Sequence, residues 1–86
     1  MIGERKRALH KAERRYMLDA ARGLTAKESA RLHGVSVNTV NTTLKRAKLA
    51  LGASNITHAV ALMFLYGEYS PRDLIITAAD LTDTKE

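Results

Sequence analysis

The sequence predicts an all-α fold of four helices followed by a short fifth C-terminal helix. Apolar residues recur every three or four positions along most of the chain, which is the spacing of one helix face. A glycine follows each of the first four apolar stripes, where a left-handed residue commonly ends a helix. The chain has 86 residues and no cysteine, so we expect one small domain that gains burial from a second chain.

Glycines and a capping sequence delimit the first two helices. Residues 4–22 are good helix formers with an apolar stripe, and Gly23 follows them. Thr25 is an N-cap candidate for the second helix, and Glu28 three residues later completes a capping box. This second helix is short, because Gly34 closes it.

The third helix, residues 36–51, is the most sharply defined. Ser36 is its N-cap candidate and Gly52 ends it. Only Gly34 and Val35 separate it from the second helix, and two helices joined by a tight glycine-containing turn are typical of a helix-turn-helix. Its predicted inward stripe consists of Val37, Val40, Leu44, Ala47 and Leu51.

The fourth helix is apolar on every side, from about residue 55 to Tyr66, and stops at Gly67. A helix of this kind must be covered on both sides, and a second chain is the natural cover in so small a domain. We expect its inward stripe to be Ile56, Ala59, Val60, Met63 and Phe64. We expect its outward residues to be Ala61, Leu62 and Leu65.

Ser70 and Pro71 are typical of a helix start, with an N-cap followed by proline at the first helical position. The apolar residues of this fifth helix would be Leu74, Ile75, Ala78 and Ala79, before a polar tail over 82–86. The sequence thus divides into a helix-turn-helix domain over residues 1–67 and a C-terminal extension over residues 68–86.

Charge is segregated along the chain, whose formal net charge is +5. Residues 1–51 carry 12 of the 14 Lys and Arg and four acids, a local balance of +8, and the remainder carries −3. Such a basic segment suits a polyanionic partner. No leader pattern, membrane-length apolar run, metal spacing, phosphate loop or catalytic constellation occurs. From the sequence we therefore expect a protein that does not span a membrane, binds no cofactor and is not an enzyme.

Once the inward stripe is fixed, the step of about 100° per residue determines the opposite face of the third helix. That face carries no acid. Asn pairs with adenine, Lys with guanine, and Thr contacts the thymine methyl group in the major groove. The N-terminal half of a recognition helix points at the bases. We therefore predict that the base-contacting residues are Asn38, Asn41, Thr42 and Lys45.

Phosphate contacts are expected around this face. Ser36 caps a helix end whose free N–H groups bind anions, Lys27 and Arg31 lie on the second helix, and Arg46 and Lys48 flank the base-contacting face. Such contacts orient a protein on DNA without reading sequence. Six further cations either make the same contacts or form a solvated face: Arg5, Lys6, Arg7, Lys11, Arg14 and Arg15.

The run GLTAKESARLHGVSVNTV, residues 23–40, continues through LGASN at 51–55 into THAV at 57–60. This ordered pattern resembles the LuxR/GerE family of four-helix helix-turn-helix domains over about residues 9–67. The resemblance implies base contacts by Asn41, Thr42 and Lys45, and a dimer surface on the fourth helix. It also implies phosphate contacts near Thr25, Lys27, Ser36 and Thr39. We place the dimer surface at Ala61, Leu62, Leu65 and Tyr66.

Three positions depart from the family pattern. Thr43 and Ala50 replace a frequent histidine and lysine, so no phosphate contact is assigned to them. Ser29 replaces an isoleucine, which makes the second helix less apolar than usual. Residues 39–48 also resemble region 4 of sigma factors, which lacks the apolar fourth helix.

These features predict a homodimeric, sequence-specific transcription regulator of double-stranded DNA, either repressor or activator. The alternative is a sigma-like or adaptor module that binds RNA polymerase or another regulator. A nonspecific DNA binder is a third reading. With eight residues before the family match, we expect a free-standing cytoplasmic protein of a bacterial or phage-infected cell, since such small regulators are frequent in phages.

Overall fold

The computed structural model of the chain describes residues 5–70 and 72–74. No strand occurs in these ranges, and the predicted all-α class is confirmed. The helices with defined ends are α1 (Lys11–Ala21), α2 (Ala26–His33), α3 (Val37–Leu51) and α4 (Ile56–Leu65). In the described part of the chain no single helix is long and apolar enough to cross a bilayer. The helices α3 and α4 reach the required length and hydropathy only when they are taken together, and this pair is bent by 54° at the break between them.

The ends of α2 and α3 lie where the capping residues predict. Thr25 Oγ1 accepts a hydrogen bond from the Glu28 N–H at 3.1 Å, and Glu28 Oε1 accepts one from the Thr25 N–H at 2.8 Å. Ser36 Oγ accepts one from the Thr39 N–H at 3.0 Å. Gly34 ends α2 with φ +68°, a left-handed conformation that costs other residues about 1–2 kcal/mol. A glycine at this position therefore shapes the three-residue turn from α2 to α3.

The centre of the fold is α3, which packs against α1, α2 and α4. Val40, Ala47 and Leu51 are fully buried, and Leu44 contacts both clusters of the core. These members of the predicted stripe are confirmed. Val37 is 39% exposed, because it is the first residue of α3 and lies outside both clusters.

The first helix begins later than predicted, at Lys11. Residues 5–10 form a non-helical segment, which we call the N-terminal arm. The Lys6 N–H donates to the Ala50 carbonyl of α3 at 2.7 Å, so it is not part of a helical ladder. The His10 N–H donates to Glu13 at 2.8 Å, which starts α1 at this point.

The orientation predicted for α4 is wrong at two positions. Leu62, placed on the outward dimer surface, is 2% exposed and belongs to the core. Phe64, placed in the inward stripe, is 54% exposed. The buried side of the helix consists of Ala59, Leu62 and Met63. Since almost every residue of α4 is apolar, periodicity does not define which side faces the core.

The described residues after α4 pack back onto the four helices. Tyr69 contacts the core and lies 5.9 Å from the Phe64 ring, centroid to centroid. The Asp73 carbonyl accepts a hydrogen bond from Arg22 at 3.3 Å. Residues 72–74 are helical, in agreement with the predicted start of the fifth helix. The remaining positions of that prediction lie outside the described residues: Pro71, Ile75, Ala78, Ala79 and the tail 82–86.

Candidate nucleic-acid interface

A row of exposed side chains runs along the outward side of α3. Asn38, Thr42, Lys45 and Leu49 follow one another at spacings of four, three and four residues, and Asn41 lies beside them. All five are exposed. Within the described part of the chain, no side-chain hydrogen bond or ion pair engages the four polar members. Their amide, hydroxyl and ammonium groups are therefore available to an external partner.

Every charged residue of α3 is basic. Lys45, Arg46 and Lys48 lie on α3, and no acid lies on that helix. A positive helix face with amide groups can hold a polyanion and hydrogen-bond to its base edges.

The seven predicted phosphate contacts divide into two kinds. Lys27, Arg31 and Arg46 are exposed cations, and Lys48 is a half-buried one. The three hydroxyl residues already take part in helix capping. Thr25 and Ser36 are N-caps, and Ser36 Oγ also lies 2.9 Å from Thr39 Oγ1. Their first role is therefore to hold the ends of α2 and α3 in place, next to the cations.

Three of the six N-terminal cations are committed to carboxylates inside the domain. Arg5 and Arg14 pair with Glu68 at 3.2 and 3.1 Å. Arg7 pairs with Glu13 at 2.7 Å. The other three are exposed and have no ion pair within the described residues: Lys6, Lys11 and Arg15. The basic surface open to a polyanion is thus smaller than the composition implies.

Glu13 is a buried carboxylate that joins the N-terminal arm to α1. Arg7 Nη1 and Nη2 donate to its two oxygens at 2.7 and 2.8 Å. This guanidinium lowers the pKa of Glu13 from 4.5 to about 2; burial opposes the shift, and the His10 N–H adds to it. Glu13 is therefore charged, and holds the arm, over the whole physiological pH range.

A polar cluster between α1 and α2 is the main feature that sequence reasoning missed. Asp19 is 1% exposed and accepts hydrogen bonds from Ser29 Oγ at 2.6 Å and Arg22 Nη1 at 3.3 Å. His33 Nε2 lies 2.7 Å from the same carboxylate, and its ring packs edge-on against Tyr16. Ser29 and His33 are four residues apart on α2, so their shared face was the available signal.

The structure divides the predicted dimer surface. Ala61 and Leu65 are exposed, whereas Leu62 is buried. Tyr66 is half-buried against the core, with the Arg5 guanidinium carbon 5.0 Å from its ring centroid. The exposed apolar side of α4 therefore consists of Ala61, Phe64 and Leu65, which we call the outer α4 patch.

Comparison with protein-family models, with curated proteins and with solved structures finds no match to this chain. The LuxR/GerE resemblance therefore depends on the residues of this sequence, and what it implies stays a prediction. In the described residues no three His, Asp or Glu side chains converge as metal ligands would.

The Glu13–Arg7 pair makes stability depend on pH in one direction. Since the folded pKa lies below the ordinary value, the contribution is complete above about pH 4.5 and is lost as the pH falls through about 2. Glu13→Gln should therefore lower the unfolding free energy by about 1–2 kcal/mol at pH 7, a modest value because Arg7 is partly exposed. The deficit relative to wild type should shrink toward pH 2 in urea titrations.

Glu28→Gln is the matched control, because Glu28 occupies the same position in α2 and has no arginine partner among the residues that the structure describes. Glutamine can also complete a capping box, so this change should cost clearly less at pH 7. Equal losses for Glu13→Gln at pH 7 and pH 2 would contradict the ion-pair explanation.

Proposed function

We propose that this chain is a sequence-specific, double-stranded DNA-binding transcription regulator that acts as a homodimer, with α3 in the major groove. The observation that carries the proposal is the outward row of α3, whose polar groups are exposed and make no bonds within the described chain. Amide, hydroxyl and ammonium groups are those that hydrogen-bond to base edges, and no acid on α3 opposes a negatively charged partner.

The proposed roles follow from the chemistry of each side chain. Asn38 and Asn41 can bond bidentately to adenine, Lys45 to guanine, and Thr42 to a thymine methyl group or a base acceptor. The cations beside the row, Lys27, Arg31, Arg46 and Lys48, would neutralise phosphates and set the orientation of the domain. Thr25, Ser36 and Thr39 would support them through the helix caps.

Self-association is proposed through the outer α4 patch. The patch exposes Phe64 and Leu65 at 54% and 63%, beside Ala61. Pairing two copies through this patch would remove these side chains from water and add burial to a small domain. Two copies would present two α3 helices to successive major grooves, with half-sites about 10 bp apart.

The test begins with selection of bound sites from a random duplex pool, followed by titration of the best site. Asn41→Ala and Lys45→Ala should each weaken that site by about 1–3 kcal/mol and relax its sequence preference. Lys27→Ala should weaken selected and random duplexes by the same factor, as expected for a phosphate contact. Lys11→Ala is the charge-matched control on α1.

Unchanged binding of the best site by Lys45→Ala would show that α3 does not read the groove.

A second candidate function is favoured by the outer α4 patch itself, which a different protein such as RNA polymerase could cover. Sedimentation together with titration of selected and random duplexes decides between the two functions: a monomer that binds both duplexes equally would support the adaptor role.

A further inference from the structure

We infer that Lys6 of the N-terminal arm joins Arg46 of α3 in one phosphate-binding site beside the C-terminal end of α3. The inference rests on the proposed function and deepens it, because the ligand is a phosphate of the DNA backbone next to the groove that α3 reads. It adds the arm to the interface and leaves the other N-terminal cations outside it.

The two side chains are brought together by a backbone contact. The Lys6 N–H donates to the carbonyl of Ala50 at 2.7 Å, one of the last carbonyls of α3 that the helix itself leaves without a donor. Lys6, Arg7 and Arg46 then line one shallow depression, together with Leu49 and Ala50. Leu49 is also the last member of the outward row, so the depression continues the candidate base-contacting surface.

The arm is held in this position by two buried carboxylates. Glu13 accepts hydrogen bonds from Arg7 Nη1 and Nη2 and from the His10 N–H. Glu68 accepts hydrogen bonds from the Leu9 N–H at 3.1 Å and from Arg5 at 3.2 Å. A backbone already held in place has little conformational entropy left to lose when a ligand binds, so the position from which the Lys6 side chain extends is preorganised.

The residues that line the depression include no carboxylate to balance its cations. Arg7 is compensated by Glu13, whereas Lys6 and Arg46 are exposed and have no ion pair in the described residues. Two uncompensated cations beside one hollow repel each other, and an anion between them removes that repulsion. Arginine binds phosphate oxygens bidentately, and lysine adds a point charge.

The length of α3 places this end near a DNA strand. From Asn38 to Leu49 the row spans about 16 Å at a rise of 1.5 Å per residue. The major groove is about 12 Å wide, so a helix that crosses it at an angle meets the phosphates of one strand at its far end. Lys6 and Arg46 flank that end.

The test compares Lys6→Ala with Lys11→Ala in salt titrations of DNA binding. Lys11 carries the same charge and is also exposed, but it lines a separate groove between α1 and α2. The slope of log affinity against log salt is negative, and Lys6→Ala should make it shallower by about 0.9, the value for one phosphate contact. The same change should weaken selected and random duplexes alike. Arg46→Ala should do the same, and Lys11→Ala should leave the slope at the wild-type value.

Each alternative result has a distinct meaning. A wild-type slope for Lys6→Ala, with binding of the best site still weakened in Lys45→Ala, overturns this site and leaves the proposed function standing. A change of sequence preference in Lys6→Ala would make Lys6 a base contact and would also overturn the phosphate assignment. Absence of duplex binding by the wild-type chain overturns both. The urea midpoint of Lys6→Ala should match wild type, because the bond to Ala50 uses the backbone N–H.

Discussion

Replacement of Asp19 by alanine should lower the unfolding free energy by about 3–5 kcal/mol, because it removes the only acid of a buried charged cluster. Native domains are stable by about 5–15 kcal/mol, so this loss would remove a large part of the stability of a domain of this size. The loss comes from the partners, since Ser29 is 2% exposed and the Arg22 side chain is mostly buried. Without the carboxylate, Ser29 Oγ would stay buried without an acceptor, and Arg22 would keep only the Asp73 carbonyl.

The effect should be large because α2 contributes few buried apolar side chains to the core. Ala30 is the only apolar residue of α2 that is fully buried, and Leu32 is exposed. Ser29 and His33 attach this eight-residue helix to α1 through Asp19. Loss of the cluster should therefore free α2 first, and with it the turn that positions α3.

Urea denaturation followed by far-ultraviolet circular dichroism measures the loss, and amide hydrogen exchange shows where it falls. Asp19→Asn keeps the shape and one acceptor, so it should cost less than alanine. Ser29→Ala should cost about 1 kcal/mol, the net value of one hydrogen bond. A cost below about 1 kcal/mol for Asp19→Ala would show that hydrophobic contacts, not this cluster, hold α2.

The parts of the fold that were predicted correctly are those with local determinants. Thr25 with Glu28, and Ser36 with Gly34, define the ends of α2 and α3 within a few residues of chain. The 3–4 spacing of apolar and polar residues on α3 fixes its two sides, so the exposure of its base-contacting candidates followed from periodicity. Capping and amphipathic spacing act over a single turn, which makes them readable from sequence.

The parts that were missed depend on contacts between distant residues. Glu68 lies 54 residues from Arg14 and 63 from Arg5, so its role in holding the arm leaves no periodic trace. A boundary after residue 67 would also separate Glu68 from the arm that it holds in place. Asp19 is an acid within α1, and its role appears only when Ser29 and His33 of α2 pack on it. Such pairings are set by the tertiary arrangement and not by local sequence.

Leu62→Ala and Leu65→Ala should have opposite consequences, although the two leucines lie three residues apart on one helix. Leu62 is 2% exposed within the main core cluster, so its truncation should cost about 2–5 kcal/mol of unfolding free energy. Leu65 is 63% exposed, so its truncation should change the unfolding free energy of the monomer by less than about 0.5 kcal/mol.

Self-association should depend on Leu65 and not directly on Leu62. If two copies pair through the outer α4 patch, Leu65→Asp should yield a monomer by sedimentation equilibrium while its helix content stays unchanged. An aspartate buried in that interface would be left without a partner, and this cost opposes pairing. Leu62→Ala should weaken pairing only in proportion to unfolding, and Thr57→Asp, an exposed change at the first turn of α4, is the control for added charge.

The combination of both measurements separates the two orientations of α4. A Leu62→Ala variant that dissociates without losing unfolding free energy would restore the outward orientation predicted from sequence. A Leu65→Asp variant that keeps the mass of the wild-type assembly would remove α4 from the interface and leave its exposed side for a different protein. Loss of stability in the first variant and of mass in the second would mean that one helix serves the core with Leu62 and a second chain with Leu65.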